Sequence, residues 1–103
     1  MLGNMTREDF AAHLNETFRI DFGSDVPGLE SFELSLIEAE PLKTPQLTPE
    51  SRPPFALLFR GPKEPVLNQS IYPLENEAMG RLDIFLVPIG PDAEGQRYEA
   101  VFN

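Results

Sequence analysis

The stretch Arg81-Leu-Asp-Ile-Phe-Leu-Val-Pro-Ile-Gly-Pro-Asp-Ala-Glu-Gly-Gln-Arg-Tyr-Glu-Ala-Val-Phe-Asn103 decides the fold. It reads as two β-strands joined by a turn over Gly90-Pro91-Asp92-x-x-Gly95. Side chains alternate along a strand, so Leu82, Ile84 and Leu86 point one way while Phe85, Val87 and Ile89 point the other. A strand that is apolar on both faces needs cover on both, from its own domain or from a partner. Pro88 places an edge or a bulge in the first of the two strands.

Working back from there, Glu77-Ala-Met-Gly80 is a turn, and Ile71-Tyr-Pro-Leu-Glu-Asn76 is a strand with Tyr72 and Leu74 inward. Pro73 makes it an edge or bulged strand, because proline offers no ladder donor. Lys63 to Ser70 is a loop anchored by Val66 and Leu67, and Phe55-Ala-Leu-Leu-Phe-Arg60 is a short buried strand. Pro41 to Pro54 holds five prolines and no usable periodicity, which predicts a long, stiff, exposed loop.

Upstream of that loop, Glu30 to Glu40 reads as a strand with Phe32, Leu34 and Leu36 on one face. Ile37 breaks the alternation and Ala39 continues the shifted phase, which predicts a bulge or sharp bend near Leu36-Ile37. Gly23 to Gly28 is a turn cluster, and Thr17-Phe-Arg-Ile-Asp-Phe22 is a half-buried strand. At the start, Thr6 with Asp9 forms an approximate capping box, and Met5 with Phe10 has the spacing of a hydrophobic staple. The predicted helix runs over about 7–14, with Phe10, Ala11 and Leu14 as its apolar stripe and Asn15 as its stop. So short a helix must lie on the rest of the domain.

The fold class expected is all-β: a six-stranded antiparallel barrel or a two-sheet sandwich with one short N-terminal helix, in one domain spanning 1–103. Sequential strands are expected to be neighbours.

Seventeen acidic residues against eight basic ones give a net charge of −9, which argues against nucleic acid and anionic membranes as partners. There is no cysteine, so disulfides and thiolate metal sites are excluded. No apolar run approaches the roughly 20 residues that span a bilayer, and the N-terminus lacks the pattern of a secretory signal. The expected location is cytoplasmic. Proline is abundant, at eleven residues, yet eight phenylalanines set in alternating runs require a packed core.

No motif for catalysis stands out, and the expected catalytic, cofactor and metal residues are none. His13 is the single histidine and has no nucleophile context. Glu38 with Glu40, and Glu75 with Glu77, each share a face and could act as acid and base or hold a hard cation. Alternating glutamate on a strand is more simply a water-facing side, with Arg60, Arg81 and Arg97 expected to pair with these acids across strands. Tyr72 and Tyr98 could line a pocket mouth but fit the edge of a core better.

The segments Arg52-Pro-Pro-Phe-Ala-Leu-Leu-Phe-Arg-Gly-Pro62, Val66-Leu-Asn-Gln-Ser-Ile-Tyr-Pro-Leu-Glu75, Gly80-Arg-Leu-Asp-Ile-Phe-Leu-Val-Pro-Ile-Gly-Pro-Asp92 and Tyr98-Glu-Ala-Val-Phe102 resemble a family of small bacterial proteins. It is catalogued as a domain of unknown function, number 6916. The resemblance extends from Phe10 and Leu14 through Leu34-x-Leu-Ile-Glu-Ala-Glu-Pro-Leu42. It implies an association with phage-tail-like assemblies and carries over no functional residue.

Two readings follow. The first is a non-enzymatic interaction or assembly module, with a protein partner or a second copy docked on Leu58, Phe85, Val87, Ile89 and Val101, the face left over when the other fills the core. The second is a small-ligand-binding barrel or minor enzyme with a pocket lined by glutamate and tyrosine. A filled barrel with a flat apolar patch favours the first reading; a cavity holding buried carboxylates favours the second.

Overall fold

The computed structural model describes residues 5–22, 31–42 and 53–102. The Gly23–Gly28 turn, the strand start at Glu30 and positions 43–52 of the proline-rich stretch lie outside the described residues. One helix, α1 (Arg7–Ala11), precedes six strands: β1 (Thr17–Asp21), β2 (Ser31–Pro41), β3 (Phe55–Gly61), β4 (Ser70–Asn76), β5 (Gly80–Pro91) and β6 (Gln96–Phe102).

The strands close into a barrel in the order β1-β2-β3-β6-β5-β4, with every pair antiparallel. The expectation that sequential strands are neighbours therefore fails once. β3 does not pair with β4; the chain crosses over, and the barrel closes through β3–β6 and β1–β4. The crossover is held because Leu67 is buried and its backbone N–H donates to the Tyr98 hydroxyl at 2.9 Å.

Two long strands turn the barrel's corners. The first part of β2 pairs with β1 and the remainder with β3, with a register shift between Leu36 and Glu38. β5 repeats the device: Gly80 to Leu86 pair with β4, Val87 to Pro91 pair with β6, and the register shifts between Pro88 and Gly90. Both bulges sit where the alternation broke or a proline removed a donor, because an extra residue lets a strand bend from one sheet into the next. Pro73 is also explained. Only Leu74 and Glu75 of β4 pair with β1, so Pro73 lies beyond that ladder, on an edge.

The alternation of the sequence becomes inside and outside. Phe18, Ile20, Leu34, Leu57, Phe59, Leu74, Ile84 and Leu86 are each at most 1 % exposed and point into the interior. Phe18 and Phe59 meet edge to face at 5.4 Å, a favoured arrangement of ring quadrupoles.

The helix plugs one end. Its capping box is complete: Thr6 Oγ1 accepts from the Asp9 N–H, and Asp9 Oδ2 accepts from the Thr6 N–H. Phe10 is fully buried, with its ring 5.9 Å from Phe55 and 5.5 Å from Phe102, which stack on each other at 4.7 Å. Arg7 Nε donates to the Ala39 carbonyl at 2.7 Å, fixing the helix to β2. The helix is shorter than expected, ending at Ala11 with turns to Asn15, where φ is +71°. Leu14 consequently leaves the apolar stripe and is 39 % exposed.

Candidate interaction surface

With the first apolar face turned into the barrel, the second apolar face of the terminal hairpin lies on the outside, where Phe85 is 46 % exposed, Val101 49 % and Ile89 40 %. Leu58 and Val87 are half-buried. Strand register brings most of these together. Leu58 of β3 faces Glu99 of β6, which faces Val87 of β5. One rung further along, Ala56 faces Val101, and Phe85 faces Ile71 of β4. Continuing the β5–β6 register by two residues sets Phe85 beside Val101. Ile89 stands apart, at the Pro88–Gly90 bulge.

Ile71, 64 % exposed, belongs to this face and escaped the sequence reading. Its signal was present: it stands one residue from Tyr72 and opposite in phase to Leu74, so it had to point outward. Directly opposed side chains on neighbouring strands are close enough to touch, so Ile71 and Phe85 form one continuous apolar surface.

The residues considered for chemistry are dispersed. Tyr98 is fully buried, and burial pushes its phenol above the ordinary range, against the opposing effect of the Leu67 N–H. Tyr72 donates to the Asn68 carbonyl at 2.6 Å and packs its ring edge-on to Phe22 at 6.3 Å, closing the β1–β4 seam. Its phenol is also raised by burial. Both tyrosines therefore serve the core and its edge.

Glu38, Glu40, Glu75 and Glu77 are exposed, and no cluster of three acidic or histidine side chains suited to a metal occurs among the described residues. The arginines do not pair with these glutamates as expected. Arg60 Nε donates to both carboxylate oxygens of Asp92, at 3.2 and 2.9 Å, and its guanidinium approaches Glu94 at 3.8 Å. The reason is local. The turn folds Asp92 over β3, where it accepts from the Glu94 and Gly95 N–H groups and is preorganised to receive Arg60. Arg60 and these N–H groups hold the Asp92 carboxyl down at about 2, and the same hydrogen bond raises Arg60. Arg81 pairs with Asp83 of its own strand at 3.4 Å, and Arg97 donates to the Gly90 carbonyl.

A second polar cluster closes the opposite side of the barrel. Asn76 Nδ2 donates to Glu16 Oε1 at 3.2 Å and to the Thr17 carbonyl at 3.0 Å, while its Oδ1 accepts from the Ala78 and Met79 N–H groups. The Glu16 carboxyl is lowered, first by Asn76 and then by His13, whose Nδ1 lies 2.9 Å away. His13 is thus a partner of a structural carboxylate. Beside this cluster lies an open cleft of about 360 Å³ lined by Thr17, Arg19, Glu75, Asn76, Glu77, Gly80 and Arg81. Neither Tyr72 nor Tyr98 lines this cleft.

A family model described as Domain of unknown function (DUF6916) matches residues 5–102 of the chain. No curated protein and no solved structure matches it. No described helix is long and apolar enough to cross a membrane.

Proposed function

The chain belongs to the family Domain of unknown function (DUF6916), and from that premise we propose that it is a non-enzymatic protein-interaction or assembly module whose working surface is the outer apolar face centred on Phe85. One observation carries this reading: Ile71, Phe85 and Val101 are each about half exposed or more, on the outside of a barrel whose inward-facing side chains form the core. Aromatic side chains dominate the energetics of protein contacts, which makes Phe85 the anchor. The cysteine-free, acidic composition fits a cytoplasmic setting, and tail-like assemblies are where the partner is to be sought first.

Phe85→Asp tests the reading. Because Phe85 is outside the core, the melting temperature of the variant stays within a few degrees of the parent, while proteins retained by the parent from a native lysate are lost. Retention of the same proteins by the variant would refute the reading, and so would unfolding of a monomeric variant.

A further inference from the structure

The charges that frame the outer apolar face select what can cover it. Across β2, β3, β6 and β5 the registers place Glu38, Leu58, Glu99 and Val87 in one row, so that carboxylates alternate with apolar side chains. The adjoining row holds Glu40, Ala56 and Val101. Glu38 and Glu40 are exposed and Glu99 is half-buried. None of the three makes an ion pair with another described residue. Arg60 feels the field of Glu38, but its guanidinium is committed to Asp92 and Glu94.

We propose that this face receives a cationic protein segment, its lysine or arginine side chains meeting Glu38, Glu40 and Glu99 and its apolar side chains resting on Phe85 and Val101. This rests on the reading of the face as a contact surface and adds the sign of the partner's charge. A second copy fits poorly. It would bring the same carboxylates together in two chains that each carry −9, and like charges across an interface disfavour association. A cationic partner is drawn in by the same field that repels a second copy.

The test uses the full chain and a short peptide with lysine, valine and phenylalanine placed at every second position, on one face of an extended strand, beside versions with serine or glutamate at every lysine. Heteronuclear NMR titration with the lysine peptide is expected to move the amide signals of Leu58, Phe85, Glu99 and Val101, and added salt is expected to weaken the effect. Glu99→Gln and Glu38→Gln should each weaken binding roughly two- to fivefold, the range of exposed ion pairs. Equal binding of the serine or glutamate peptide at these residues overturns the charge assignment and leaves the contact surface standing. Self-association abolished by Phe85→Ser does the same. If these signals stay unmoved with every peptide and no self-association occurs, both readings fall.

Discussion

The Tyr98 hydroxyl accepts a hydrogen bond from the Leu67 backbone N–H at 2.9 Å, tying the β3–β4 crossover to the centre of β6. This contact spans the one connection that departs from simple neighbour-to-neighbour order. Leu67 supplies the apolar anchor of the crossover and Tyr98 its polar one, while the Tyr98 ring meets Phe32 edge to face at 6.5 Å.

Tyr98→Phe keeps the ring and removes the acceptor, leaving the Leu67 N–H unpaired in a buried setting. Such a group costs about 1–3 kcal/mol. The melting temperature should fall by roughly 5–15 °C, as measured by circular dichroism. An unchanged value would show that water replaces the hydroxyl.

Phe10 and Leu14 should behave differently although both are apolar residues at the N-terminus. Phe10→Ala removes the ring packed on Phe55 and Phe102 and should cost about 3–5 kcal/mol. Leu14→Ala should stay within roughly 0.5 kcal/mol, because Leu14 faces solvent. Urea denaturation of the two variants gives the comparison. Similar losses would mean that Leu14 packs after all.

Asn76→Ala removes a side chain that serves Glu16, the Thr17 carbonyl and two backbone N–H groups. The expected loss is about 2–3 kcal/mol. In the folded variant the Glu16 carboxyl should titrate higher, since Asn76 is the main cause of its lowering. NMR titration of the Glu16 side chain reads this directly, and no upward movement would refute the assignment.

Asp92 links stability to acid pH. Its carboxyl is held at about 2 in the folded chain against an ordinary 3.8. A depressed carboxyl stabilises the fold above the unfolded value, and that contribution is lost as pH falls through the folded value. Stability should therefore decline between about pH 4 and pH 2. Asp92→Asn should be less stable than the parent near neutrality and show a flatter decline in that window. Denaturation series at several pH values test it; parallel curves for parent and variant would exclude Asp92 as the source.

Much of this molecule was legible in local pattern. The alternation around Phe18, Leu57 and Ile84 marked inward positions because a strand's period of two leaves no choice once one face is buried. The break at Ile37 and the proline at position 88 marked the two bulges. Of the candidate surface, Phe85, Val87 and Val101 were legible as a second apolar face. Ile71 was missed because its membership depends on pairing with Phe85 across strands. The arginine partners were missed for a similar reason: Arg60 meets Asp92 across 32 residues through a turn's geometry.

What the chain determined by itself was the set of strands, their inward residues and the points where they bend, since these follow from side-chain alternation and backbone chemistry over a few residues. Only the tertiary structure decided between barrel and sandwich. Both alternatives use the same inward faces, and they differ in whether β1 meets β4 and β3 meets β6. Those closures place the Phe85 face outside and leave it uncovered by the described strands. They also reveal a repetition hidden in the sequence: two three-stranded meanders, β1-β2-β3 and β4-β5-β6, each with a long, bulged central strand. Backbone pairing can repeat without repeated side chains, because the ladder is made by main-chain N–H and C=O groups that almost every residue carries.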